Sequence, residues 1–251
     1  MGQWQQGKVV ENRHWNGRLC SLKIAVSLPA FEAGQFIKVG LPETAGDFEH
    51  IEARPYSFVN APHESGLEIY FNRVPDGSLS NRLFGLVEGD EVVVGNRPSG
   101  FMTLAELPQG RSLWLLCTGT ALGPFLSILK TQKPWQQFKK IILVHGVRSA
   151  DELTYGGLIE KLQALHPQQL VKLNAVTRQL MAGALSQRIP DAISNGELET
   201  MAGLQLDAKD SRVMVCGNPA MVAGALAALK AKGLYKHLRR QPGQVLQEIY
   251  Q

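Results

Sequence analysis

What this chain lacks narrows its chemistry first. It has only three cysteines, Cys20, Cys117 and Cys216. Three thiols build neither a disulfide framework nor a self-contained four-thiolate cluster, and they suit a reducing compartment. No segment approaches the ~20 consecutive apolar residues of a membrane-spanning helix. The opening Met1-Gly2-Gln3-Trp4 lacks the basic-then-apolar order of a secretion signal. A soluble cytoplasmic protein with no membrane contact is expected. The histidines (His14, His50, His63, His145, His166 and His237) show no metal-ligand spacing, so no metal is expected. Excess charge is also missing: 26 basic against 22 acidic residues leave +4, too little for a general nucleic-acid binder. Apolar residues are not scarce. At 44% hydrophobic and 19% charged, the 251 residues can fill a core, and that length suits one large or two modest domains.

Two rhythms divide the chain. Up to about residue 104, short runs alternate with turns: Lys8-Val9-Val10, Leu22 to Val26, Gln35 to Val39, Tyr56 to Val59, Leu67 to Phe71 and Glu91 to Val94. Asn16-Gly17 is a hairpin-type pair, and Pro75-Asp76-Gly77 and Gly89-Asp90 are further turn signals. Six closely spaced strands predict a six-stranded antiparallel β-barrel, with one short helix near Ser80 to Leu86. From about residue 112 the strands become continuous apolar runs, as sheets buried on both faces require: Leu113 to Cys117, Ile141 to Val144, Val171 to Val176 and Arg212 to Cys216. Helical stretches separate them, at Leu122 to Lys130, near Leu158 to Leu165, and after Asn218-Pro219, an N-cap with proline at the first helical position. Alternating strand and helix predict a Rossmann-like parallel α/β domain. The expected division is 1–105 and 106–251, at the breaks Pro108 and Gly110.

Ligands in open parallel sheets sit at the carboxyl ends of the strands. One such end is Thr118-Gly119-Thr120-Ala121, small enough for backbone N–H groups to approach a pyrophosphate. It lacks the G-x-G-x-x-G fingerprint, and a tight strand–helix turn accounts for it equally. The next ends carry Val147-Arg148 and Thr177-Arg178, with Arg188 following and no acid between Glu160 and Asp191. Arginine forks suit the 2′-phosphate of NADP, whereas NAD sites place an acid on the ribose; taken singly, each is also an ordinary surface arginine. A third end is Cys216-Gly217-Asn218-Pro219, where packing alone would explain the cysteine.

In the first part, Arg54-Pro55-Tyr56-Ser57 sets a cation, an aromatic face and a hydroxyl within four residues, as a flavin needs. In a strand, Arg54 and Tyr56 point one way and Ser57 the other. Gly77-Ser78-Leu79-Ser80 opens the short helix, whose free N–H groups suit a pyrophosphate. A strand with a buried tyrosine and a capped helix are the plain alternatives.

In this order, Arg-x-Tyr-Ser, Gly-x-x-Ser, Thr-Gly-Thr-Ala and Cys-Gly-Asn-Pro resemble the ferredoxin–NADP reductase family, most of all its bacterial ferredoxin/flavodoxin–NADP reductases. The resemblance spans nearly the whole chain. It implies an FAD-binding barrel, an NADP-binding α/β domain, and electron transfer between NADPH and ferredoxin or flavodoxin. It implies Arg54, Pro55, Tyr56, Ser57, Phe71, Val74, Ser78, Leu79, Ser80 and Thr120 for FAD, with Tyr250 and Gln251 of the tail covering it. It implies Val147, Arg148, Thr177, Arg178, Arg188, Asn218, Pro219 and Ala220 for NADP. Ser57 and Cys216 would serve hydride transfer, and Glu248 proton handling. Some close relatives end in Trp where this chain has Gln251.

From Ser211 to Gln247 there is no acid but Arg212, Lys230, Lys232, Lys236, Arg239 and Arg240. Such a span either steers an acidic carrier or is a solvated helix face and tail. A monomer is expected. An NADPH-dependent flavin or ferric reductase, or an electron-transfer subunit of a larger complex, would share most of these features.

Overall fold

In the computed structural model, which describes residues 3–44 and 50–250, the alternating runs pair into one antiparallel sheet. Its strands are β1 (Trp4–His14), β2 (Leu19–Ala25), β3 (Phe36–Pro42), β4 (Ile51–Ser57), β5 (Leu67–Asn72) and β6 (Glu91–Gly95), with helix α1 (Ser78–Phe84) between the last two. Their order is β4-β3-β6-β1-β2-β5. The Asn16 carboxamide fixes the first hairpin by accepting from the Arg18 and Leu19 amides, both at 2.9 Å. Every second residue faces one core: Cys20, Leu22 and Ile24; Ile37, Val39 and Leu41; Leu67, Ile69 and Phe71; Val92 and Val94. The two outer strands meet through a Phe58–Ile69 bridge, and the Val59 amide donates to the Glu68 carbonyl at 2.9 Å. The sheet thus rolls into the expected barrel. Helix α1 adds Leu79 and Leu83 to the same core, one turn apart. It begins two residues before the expected start and stops where the Gly85 amide turns back to Asn81 and Arg82.

The later elements are β7 (Ser112–Thr118), α2 (Leu122–Leu129), α3 (Lys133–Gln137), β8 (Lys140–Val147), α4 (Gly156–Leu165), β9 (Leu170–Val176), α5 (Ile189–Ser194), α6 (Glu197–Ala202), β10 (Ser211–Gly217), α7 (Pro219–Ala231) and β11 (Val245–Ile249). Five of them make a parallel sheet ordered β11-β10-β7-β8-β9. Both faces are covered. Trp114, Leu116, Ile142, Val144, Val213 and Val215 join one cluster with α5 and α7. Leu113, Leu115, Ile141, Leu143 and Met214, on the alternate positions, are fully buried too. Helix α7 carries the foreseen punctuation: the Asn218 side chain accepts from the Met221 amide at 3.0 Å, and Gly233 has φ +81°.

The fifth strand was not foreseen. β11 is an edge strand in which only Val245 and Leu246 are buried, so it lacks the apolar run that marked its neighbours. Helices α3, α5 and α6, of five or six residues, are too short to display a period. By contacts the chain divides into Met1–Thr103 with Gly123–Thr131, and Leu104–Leu122 with Gln132–Gln251.

Candidate functional site

In the first unit, β4 presents the Arg-x-Tyr-Ser run. Arg54 is exposed; its Nη1 donates to the Ala53 carbonyl at 3.0 Å. Pro55 is exposed beside it. Tyr56 is half-buried and meets Phe71 edge-on, with ring centroids 5.8 Å apart at 70°. Burial pushes its phenol up to about 12 against the opposing charge of Arg54, so the ring stays neutral. Ser57 is buried. Beyond β5, Val74 is exposed, and its amide donates to Ser80 Oγ at 3.0 Å while its carbonyl accepts from Asn81 Nδ2 at 2.9 Å. Leu79 is buried beneath this turn. A Cβ on Gly77 would lie 2.8 Å from Ser80 Oγ and 2.9 Å from Val74 Cβ, so a side chain there would have to displace one of them.

One residue of this set was missed. Glu52 accepts from Ser78 Oγ at 2.8 Å and lies 3.9 Å from Arg54 and 3.8 Å from Arg82. It gathers the strand's cation and the helix's first turn around one anion position. Its signal was visible: two residues before Arg54, on the same side of β4.

In the second unit, the strand order reverses direction between β7 and β10, the switch point where open α/β sheets bind ligands. The ends of these strands touch: a Cβ on Gly217 would sit 2.3 Å from Thr118 Oγ1. Next to this contact, Gly119 adopts φ +55°, and a Cβ there would meet nothing within 4 Å. The turn therefore carries bare backbone over open space, with Thr120 half-buried behind it. On the other side, Asn218, Pro219 and Ala220 are exposed at the start of α7.

His145 supports the turn from below. The ring is fully buried, with Nε2 3.0 Å from the Gly119 carbonyl. A carbonyl only accepts, so the proton sits on Nε2, and Nδ1 keeps a lone pair without a partner among the described residues. Burial lowers this imidazole to about 4, although the Gly119 bond works the other way. Scattered histidine spacing gave no hint of this role; the available signal was a lone histidine at the carboxyl end of the buried strand β8.

Cys216 is fully buried and in register with Cys117 on one side and Glu248 on the other. Burial pushes its thiol well above the ordinary range, with Glu248 and Cys117 adding and a Tyr250 hydrogen bond opposing. It is a neutral thiol, not a nucleophile. Burial also lifts the Glu248 carboxyl to about 7. The Tyr250 amide donates to the Gly217 carbonyl at 2.8 Å; Gln251 lies outside the described residues.

The ends of β8 and β9 stay paired beyond the sheet. The Thr177 amide donates to the Val147 carbonyl at 3.1 Å and the Arg178 amide to the Arg148 carbonyl at 2.8 Å. Two arginines thus follow one another at adjacent strand ends. Arg188 is exposed at the N-cap of α5. The guanidinium of Arg148 is held by Glu152, four residues on. The three cysteines are unpaired and buried, and no metal-binding group of side chains occurs among the described residues.

A family profile for the oxidoreductase NAD-binding domain matches residues 115–226. The chain is 44% identical to the flavodoxin/ferredoxin–NADP reductase of Escherichia coli (strain K12) over 222 residues, 88% of each chain. It is 38% identical to that of Buchnera aphidicola subsp. Baizongia pistaciae over the full length of both. Among solved structures, a ferredoxin NADP+ reductase from Neisseria gonorrhoeae with bound FAD and NADP superposes with a TM-score of 0.92, covering 99% of each chain at 29% identity.

The buried imidazole makes a measurable demand on stability. The unfolded ring protonates near 6.5, the folded one only near 4. Its contribution is complete above pH 6.5 and is lost as the pH falls toward 4, about 3 kcal/mol in all. His145→Gln keeps an N–H for Gly119 but does not titrate, so urea unfolding of this variant should lose less stability across that window. Parallel losses in the two proteins would show that His145 is not held neutral.

Proposed function

Because the chain belongs to the flavodoxin/ferredoxin–NADP reductase family, we infer that it is an oxidoreductase moving electrons between NADPH and ferredoxin or flavodoxin through FAD. The observation that carries this most directly is the grouping of an exposed cation, a half-buried phenol ring and a buried hydroxyl within four residues of β4. Bound FAD supplies the exchange between a two-electron hydride donor and one-electron carriers. We assign it to residues 1–105 and NADP to residues 106–251.

Around FAD, the Arg54 guanidinium and the first turn of α1, through Ser78, Leu79 and Ser80, meet the pyrophosphate that Glu52 now stands in for. Tyr56 and Phe71 offer ring faces to the flavin, with Val74 and Pro55 beside them, and Ser57 donates a hydrogen bond to its reactive ring. Around NADP, the bare turn at Gly119 fits a pyrophosphate closely because no Cβ intervenes. Arg148, Arg178 and Arg188, with Val147 and Thr177, take the 2′-phosphate and adenosine. Asn218, Pro219 and Ala220 support the nicotinamide end, and the neutral Cys216 excludes water there.

NADPH releases two electrons and one proton for every two carriers reduced. Glu248, which titrates near 7, is the group that takes this proton. The chain acts as a monomer in the cytoplasm; no helix among the described residues is long and apolar enough to cross a membrane. The carrier docks on the basic segment that runs from the last turn of α7 onward. There Arg239 is paired with Glu106 and Lys232 with Glu199, but Lys230, Lys236 and Arg240 pair with no carboxylate among the described residues. Tyr235 and Leu238 stand exposed among them.

Three measurements test this reading. The purified protein should show a flavin absorption band that bleaches on adding NADPH, and Ser57→Ala should slow the bleaching at saturating NADPH by ~10-fold or more without weakening NADPH comparably. An unchanged rate would remove Ser57 from the chemistry. Carrier reduction should rise with pH through about 7 and lose that step in Glu248→Gln; retention of the step would assign the proton elsewhere. Raising ionic strength from about 0.05 to about 0.5 M should raise KM for flavodoxin several-fold while leaving turnover with a neutral artificial acceptor unchanged. A salt-independent KM would exclude docking on this segment.

A further inference from the structure

Arg148 carries a partner that its expected ligand would have to share. Glu152 closes the short helical turn Ala150–Glu152. Its Oε2 accepts from the Arg148 backbone amide at 3.0 Å, and its Oε1 accepts from Arg148 Nε at 2.8 Å and also meets Nη2. Both oxygens of one carboxylate are thus spent on one arginine, main chain and side chain together. The acid lies deeper than the base, its side chain 13% exposed against 39%. Burial works against its ionisation, but the Arg148 hydrogen bonds and charge outweigh it and hold the carboxyl below its ordinary range. Arg148 Nη1 has no hydrogen bond among the described residues, and the side chain is 39% exposed.

The position of this acid has a chemical meaning. In parallel α/β sheets, a carboxylate after the second strand accepts from the ribose hydroxyls of NAD and repels a 2′-phosphate. Glu152 follows β8, the strand next in sequence after β7. We propose that Glu152 is a cofactor-specificity residue held silent by Arg148. The arginine meets the 2′-phosphate and at the same time neutralises a carboxylate that alone would select the unphosphorylated ribose. Preference for NADPH then belongs to the ion pair, not to the arginine. The proposal rests on the assignment of Arg148 to the 2′-phosphate site made above.

Removing Arg148 should therefore do more than remove an attraction, because it also unmasks a negative charge. The test is a double-mutant cycle on the FAD-loaded protein near pH 8, where a released carboxylate is ionised. Calorimetric titration with 2′,5′-ADP reads binding without turnover, and steady-state KM values for NADPH and NADH read the preference. Arg148→Ala should weaken 2′,5′-ADP and lower KM for NADH. Adding Glu152→Gln to Arg148→Ala should restore about five-fold of the 2′,5′-ADP affinity and abolish the gain with NADH. Glu152→Asp in the same background should restore little, since the charge remains. Equal 2′,5′-ADP affinity in the single and the Gln-containing double variant would overturn the role of Glu152 alone. Unchanged affinity in Arg148→Ala itself would instead overturn the 2′-phosphate assignment beneath it.

Discussion

The second unit depends on how closely two parallel strands can end. β7 and β10 are hydrogen-bonded neighbours up to Cys117 and Cys216, and their helices depart to continue the chain elsewhere. Beyond the last pair, the Thr118 hydroxyl fills the space where Gly217 has no side chain. That single contact lets both strand ends stay level, so the bare amides near Gly119 and the start of α7 open side by side. A larger residue at 217 would push β10 away and widen the switch point before any ligand arrived. His145 does the complementary work from inside, tying the Gly119 carbonyl so that its amide side is the one left open.

Both candidate anion positions share an arrangement. Glu52 sits among Ser78, Arg54 and Arg82 in the barrel, and Glu152 sits on Arg148 in the α/β unit. A free guanidinium samples many rotamers, and fixing it costs entropy at the moment of binding. A resident carboxylate holds it near its working position beforehand. The same carboxylate keeps neighbouring cations from repelling one another, at the cost of competing with the incoming phosphate.

Much of this was legible in the sequence, for reasons that differ by element. The barrel strands declared themselves because one face is largely wet, so that Leu22 and Ile24 alternate with exposed Lys23 and Ala25. The central parallel strands did so by the opposite pattern, unbroken apolar runs. β11 was hidden because an edge strand needs neither pattern. The candidate residues carried by motifs, from Arg54 to Ser57 and from Thr118 to Ala121, stood out as groups because each run is contiguous in sequence. Those missed, Glu52, His145 and Glu152, act on other side chains or on the backbone, and their meaning lies in a partner that only folding supplies. Glu152 shows this plainly: it precedes the acid-free span from Glu160 to Asp191, yet it is bonded to Arg148.

The chain's path also has a consequence for how such proteins can be recombined. Residues 123–131 group with the barrel although they follow the first strand of the parallel sheet. The Ser127 hydroxyl donates to the Asn60 carbonyl at 2.7 Å in a fully buried setting, and Lys130 pairs with Glu64 at 3.0 Å. A single genetic crossover near residue 104 would give a chimera whose barrel takes this segment from the other parent. Ser127 and Lys130 would then face an Asn60 loop that did not evolve beside them. A chimera that keeps these contacts therefore needs paired crossovers that carry residues 123–131 along with the barrel.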